Sequence, residues 1–171
     1  MNSAAMPMPI ADTICLSTAA TLLGVSKRTV WRRIAEGKLT PLDASQPGEA
    51  TLIPLSQVLA LASLNLSAEE QALVLAAERG DPAAQCDLGL LLHVWGKKPG
   101  PALYWLEQAA QQFYPGALYW LGRCYLLGEG VQQDDSLGLR WLEQAAACGH
   151  PLAQQVLPAL HASGQAQNGS Q

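Results

Sequence analysis

The chain has 171 residues, 49% of them hydrophobic and only 14% charged, with a formal net charge of −4. That apolar share is enough for a packed core and excludes disorder throughout, and the length fits one domain or two small ones. No apolar run reaches the ~18 residues that cross a bilayer. Met1 to Ile10 has no basic residue and no continuous hydrophobic stretch, which excludes a signal peptide and predicts a cytoplasmic protein.

Charge is divided along the chain. Residues 1–60 carry five basic and four acidic residues, whereas 61–171 carry five basic and ten acidic ones. All the N-terminal cations fall between Lys27 and Lys38, which predicts a small nucleic-acid-facing part joined to an acidic part with another task.

The first element is a short helix from Ser17 to Leu23, capped by Ser17, with Ala19, Ala20, Leu22 and Leu23 on its apolar face. Gly24 breaks it, and Ser26 caps a second helix from Lys27 to about Glu36, stopped by Gly37. Val30 and Ile34 point inward from that helix, while Arg28 and Arg32 share another face with Lys27 and Arg33 beside it. Two short helices with a Gly-containing turn describe a helix-turn-helix, whose second helix enters the major groove. Leu39–Leu42 and Ala50–Ile53 then read as the strands of a wing around a loop holding Pro47 and Gly48, before helical spacing resumes at Leu55.

The run TAATLLGVSKRTVWRRIAEGKL, Thr18 to Leu39, followed by LIPLSQVLAL, resembles the winged helix-turn-helix of the MerR and phage-excisionase families. The resemblance implies binding of double-stranded DNA, with Lys27, Arg28, Thr29, Arg32 and Arg33 facing it. One departure stands out: the wing has Glu49 where those families carry basic residues, which implies weaker binding.

Ser63 to Ser67 is a polar break, and Ser67 with Glu70 fits a capping box that opens a new helix. Thereafter the sequence repeats. Trp105-Leu-Glu-Gln-Ala-Ala110 recurs unchanged at Trp141–Ala146, and Leu88-Gly89 recurs as Leu121-Gly122. Asp81-Pro82, Tyr114-Pro115 and His150-Pro151 each place Pro at the first position of a helix, where its missing N–H costs nothing. A period of this size with two helices per unit predicts an α-helical solenoid, with Gly89, Gly122 and the paired alanines where helices approach closely. The pattern from Ala117 through Asp134, then Trp141 to Gly149, resembles a Sel-one-like repeat, a relative of the tetratricopeptide repeat. That resemblance implies a protein-binding scaffold in which the first helix of each pair lines the concave face. Asp87, Leu90, Leu91 and Val94 are its free positions in one copy, and Trp120, Arg123, Cys124 and Leu127 in the next. Trp120 and Arg123 are the candidate partner contacts, being common hot-spot residues.

The expected architecture is mostly α: a winged helix-turn-helix over 10–64, then a short solenoid of about two and a half repeats with a capping helix over 67–162. Residues 1–9 and 163–171 are expected to be disordered. Cys15, Cys86, Cys124 and Cys148 have no C-x-x-C spacing and are expected as free thiols, and Cys148-x-His150 lacks the second ligand pair a metal needs. No nucleophile–base pair, phosphate loop or cofactor motif is legible, so the expected protein is no enzyme and needs no cofactor. It is expected to be a DNA-binding transcriptional regulator whose repeats bind a protein partner or a second copy, giving a homodimer. The alternatives are an interaction adaptor without DNA binding, and an excisionase-like factor that bends DNA.

Overall fold

A computed structural model of the protein describes residues 12–42, 51–95 and 100–168. The chain divides into two compact units, Met1–Arg79 and Gly80–Gln171.

In the first unit, β1 (Thr13–Cys15) pairs antiparallel with β2 (Leu52–Pro54), with Ile14 opposite Ile53. Helices α1 (Leu16–Leu23), α2 (Lys27–Ala35), α3 (Leu55–Ala62) and α4 (Ala68–Glu78) surround this ribbon. Ile14, Ala19, Val30, Leu39, Ile53, Val58 and Val74 are buried in it. Gly24 closes α1 in the left-handed conformation, φ 62°, and the Ser26 hydroxyl accepts from the Thr29 N–H to cap α2. Both features follow the local sequence. So does the capping box of α4, where Ser67 and Glu70 bond each other's backbone N–H.

Three expectations for this unit are corrected. Ser17 does not cap α1. The helix begins one residue earlier, Cys15 holds the cap position, and its side chain reaches the Thr18 hydroxyl but caps no backbone N–H of the helix. The Glu78 carboxylate does so from α4: it accepts the Cys15 N–H at 2.9 Å and the hydroxyl of buried Thr18. A carboxylate satisfies orphan donors at a helix N-terminus and complements its partial positive charge. Second, β2 pairs with β1, a partner the sequence does not signal, and its other edge meets 39–42 through the Leu42 N–H, which donates to Leu52 O at 2.9 Å. Pro41 has no N–H, and the Thr40 N–H is taken by Gln57 Oε1 at 2.8 Å. The expected wing tip, 43–50, lies outside the described residues, as does the expected frayed segment 1–9. Third, α4, which the sequence places with the repeats, packs in the first unit.

The second unit is a row of helices: α5 (Pro82–Trp95), α6 (Gly100–Gln111), α7 (Pro115–Leu127), α8 (Asp135–Ala147) and α9 (Pro151–Asn168). Pro begins α5, α7 and α9, as the repeated junctions predict. Asp81 and Asp134 carboxylates accept the Ala84 and Leu137 N–H groups at 2.8 and 2.9 Å and cap α5 and α8. The pairs α5–α6 and α7–α8 are close-packed antiparallel hairpins. A Cβ on Gly122 would lie 2.8 Å from Leu142 and 3.0 Å from the Gly138 carbonyl, and one on Gly138 would lie 2.7 Å from Leu126. Gly89 makes the equivalent approach in the first hairpin, where a Cβ would stand 3.0 Å from Leu106. Between hairpins the core is Leu106, Ala109, Ala110, Ala117, Leu118, Leu121 and Ala145, with Ala153 of α9 closing it. The C-terminal expectation is corrected as well. Helix α9 continues past Ala162 to Asn168, through Gln165-Ala166-Gln167, which are good helix formers.

Substituting Gly122→Ala forces a methyl into Leu142 and the Gly138 carbonyl. It is expected to destabilise the second unit by about 1–3 kcal/mol in chemical denaturation, as overpacked cores do. Gly100→Ala, at a helix position with nothing within 4 Å of the added carbon, is the control and is expected to be neutral or slightly stabilising.

Candidate interaction surfaces

On α2 the residues expected to face DNA separate into two groups. Lys27, Arg28 and Arg32 are exposed, and Thr29 is half-buried with its hydroxyl 3.0 Å from that of Ser26. Arg33 differs: its Nη1 is enclosed by protein and has no hydrogen-bond partner among the described residues. Opposing charge also sits on this surface. Glu36 accepts from Lys38 at 2.8 Å and lies 3.7 Å from Arg32 Nε. Its hydrogen bond to Lys38, with the charge of that lysine, holds the Glu36 carboxyl below its ordinary range. The i, i+4 spacing of Arg32 and Glu36 was legible in the sequence, yet only the folded turn after α2 brings Lys38 to the same carboxylate.

The second unit brings Trp120 and Arg123 together. The Arg123 guanidinium carbon stands 4.8 Å from the centre of the Trp120 ring, a cation–π contact on α7. Tyr119 lies edge-on to Trp120 at 5.9 Å and stacks on His150 at 4.4 Å with 14° between the rings. The half-buried pair therefore rests on an aromatic support that reaches the turn before α9. Val94 of α5 and Leu127 of α7 occupy matching repeat positions and are 82% and 56% exposed, so the helix ends carry an apolar pair. Asp87 is exposed as well, with Leu90 and Leu91 half-buried. Cys124 does not belong to this surface: it is 3% exposed and lies in the core. The sequence reading missed the tie between His93 Nε2 and Glu129 Oε2, 3.7 Å apart, and the Tyr119–His150 stack. Neither pair has a local spacing that signals it.

Two of the thiols, Cys86 and Cys124, are enclosed by the core. Burial, with Asp87 adjacent, pushes the Cys86 thiol up to about 12, and burial also raises that of Cys124. All four cysteines are free, and only Cys148 is exposed. His150 beside it is occupied: its Nδ1 accepts the Ala153 N–H at 3.3 Å, capping α9. Among the described residues no group of three or more His, Cys, Asp or Glu side chains is placed to hold a metal, and no helix is long and apolar enough to cross a membrane.

Residues 82–112 and 115–150 match the family described as Sel1 repeat. These two stretches coincide with α5–α6 and with α7 through the turn before α9. Among solved structures, the chain is similar to a Sel1 repeat protein from Oxalobacter formigenes, at 34% identity. The similarity covers 61% of this chain and 82% of that one, with a TM-score of 0.49. No curated protein matches the chain.

The cap at His150 makes the end of the repeats sensitive to acid. Burial lowers the pKa of His150 below its unfolded value of 6.5, and the Nδ1 that accepts from Ala153 is available only in the neutral ring. Its contribution is therefore complete above the unfolded value and is lost as pH falls toward the lower folded one. The thermal midpoint is expected to drop between about pH 7.5 and about pH 5.5. His150→Asn, which keeps a capping oxygen but does not titrate, is expected to lose less over that interval.

Proposed function

We propose that this chain, which belongs to the Sel1 repeat proteins through residues 82–150, is an interaction adaptor whose repeats hold a segment of another protein. The observation that carries this reading is the Trp120–Arg123 pair on α7. A tryptophan held by aromatic neighbours, with a guanidinium lying over it, offers an apolar platform and a carboxylate-binding group at low ordering cost. Val94 and Leu127 extend the apolar platform along the helix ends. The partner segment that fits this chemistry presents an apolar side chain beside an acidic residue or a terminal carboxylate. The adaptor performs no reaction in this reading, and the raised Cys86 and Cys124 thiols and the engaged His150 agree with that.

The second unit is tested by selecting binders from a random peptide library and measuring their affinity by calorimetry. Trp120→Ala with Arg123→Ala is expected to weaken selected peptides by tenfold or more while leaving the helical circular-dichroism signal unchanged. Equal affinity of the double variant and the parent protein refutes the assignment.

The first unit supports a second reading, in which it docks on double-stranded DNA. Its warrant is the α1–turn–α2 pair with Lys27, Arg28 and Arg32 exposed on α2, the helix that a helix-turn-helix presents to the major groove. In this reading the adaptor is a sequence-specific regulator, and the repeats recruit its partner to the site. Glu36 and the low net charge make nonspecific affinity small, since phosphate neutralisation supplies that part of binding. Selection from a random duplex library is expected to enrich a motif that Arg28→Ala with Arg32→Ala loses. For each phosphate contact removed, the slope of log affinity against log salt is expected to fall by about 0.9. Bending of the selected duplex separates an excisionase-like factor from a regulator, and no enrichment leaves the adaptor without DNA.

A further inference from the structure

His150 stands at the junction of α8 and α9, and its backbone is fixed there. Its N–H donates to Ala145 O at 2.9 Å, and its carbonyl accepts the Gln154 N–H at 3.1 Å. Gln154 Nε2 in turn donates to Ala146 O at 2.9 Å and fastens the first turn of α9 to α8. The part of His150 that can turn without undoing this junction is the ring. It is held by the Ala153 N–H, which donates to Nδ1 at 3.3 Å, and by the face of Tyr119, 4.4 Å away and tilted by 14°.

Tyr119 carries this contact onward. Its ring meets Trp120 edge-on at 5.9 Å and 75°, and the Arg123 guanidinium carbon lies 4.8 Å from the centre of the Trp120 ring. One line of contacts, His150–Tyr119–Trp120–Arg123, thus joins the α8–α9 junction to the surface of α7. Within that line the imidazole is the group that changes charge near neutral pH. Tyr119 is the titratable group that faces it from α7. Helix α8 carries Asp135, Arg140 and Glu143 and the turn carries Cys148, while α9 has His161 and no Asp, Glu, Lys or Arg. The pKa of His150 is moved by burial, downward, with none of these charges contributing, so no carboxylate compensates a proton on the ring.

A protonated ring loses its place in this line. Nδ1 then carries a hydrogen that opposes the Ala153 N–H, and the new positive charge sits at the N-terminus of α9, where the orphan N–H groups already supply partial positive charge. The face of Tyr119 favours a cation, but a half-buried ring without its cap is better hydrated once it turns out to water. We propose that His150 is a proton-operated latch on the Trp120–Arg123 surface: the neutral ring holds Tyr119, and through it Trp120, in place for the partner segment, and protonation frees both so that the partner is released in acid. The inference rests on the adaptor reading above and adds its regulation. Once the support is gone, the cost of ordering Trp120 falls on the partner, an affinity loss of about threefold or more. Linkage is reciprocal, so a bound segment lowers the pKa of His150 further.

The test uses the full chain, first alone and then with a peptide selected from the random library at about pH 7.5. By nuclear magnetic resonance, the indole N–H signal of Trp120, assigned with Trp120→Phe, is expected to shift with pH at the midpoint of the His150 ring, below 6.5. His150→Asn, a cap that does not titrate, is expected to hold the signal still. In Tyr119→Ala, His150 is expected to titrate without Trp120 following. The selected peptide is expected to bind about threefold or more weakly at about pH 5 than at about pH 7.5, an interval in which its carboxylates stay ionised. That loss is expected to vanish in His150→Asn and to persist in His93→Asn, with the helical circular-dichroism signal unchanged throughout. A Trp120 signal that does not follow His150 overturns the proposal, as does parent affinity that is equal at the two pH values or a loss that survives in His150→Asn. A peptide that binds the Trp120→Ala, Arg123→Ala protein as tightly as the parent refutes the adaptor reading instead, and the Trp120 titration then decides the latch by itself.

Discussion

The second unit depends on how closely two backbones can approach. Gly122 on α7 and Gly138 on α8 face each other so tightly that neither tolerates a methyl without displacement, each standing about 3.0 Å from the other's carbonyl once a Cβ is imagined. Close packing gains dispersion and removes the gap that larger side chains hold open. With the hairpin narrowed in this way, Leu121, Leu118 and Ala145 become fully buried, and Trp120 of α7 packs half-buried against that core with Arg123 over its ring. Gly89 sets the same approach in the first hairpin, so both hairpins have one geometry and their turns fall in register.

The first unit is organised by a different device. Its helices are short, and short helices are marginal on their own. They are held by the Ile14–Ile53 pair at the centre of a two-stranded ribbon and by one carboxylate, Glu78, that caps α1 from sixty-three residues beyond Cys15. Helix α4 is therefore part of the scaffold that orients α1 and α2, although its own sequence reads like the end of a repeat. On α2 the result is a surface with three exposed cations and one carboxylate among them, while Arg33 has its terminal nitrogen inside the unit.

The Trp120–Arg123 surface of the second unit combines an aromatic face with a cation, chemistry that matches an apolar side chain beside a carboxylate.

What the sequence determined by itself is whatever rests on neighbours within a few positions. The helix starts at Pro82, Pro115 and Pro151, the capping box at Ser67–Glu70, the cap at Ser26, the stop at Gly24 and the repeat itself are all of this kind, because proline, glycine and short polar side chains act on their own turn. The candidate pair Trp120–Arg123 was legible for the same reason, being one turn apart on one helix. Only the tertiary structure decided the remainder. It paired β2 with β1, which no local signal joins, and it capped α1 with Glu78 instead of Ser17. Cys124 turned to the core and Arg33 enclosed its terminal nitrogen, since the face a helical residue buries is settled by the element that packs against it. The left-handed conformation of Phe113, φ 57°, belongs here too: a left-handed residue is visible in sequence when it is glycine, and becomes visible at a phenylalanine only when the helix closure that forces it has been built.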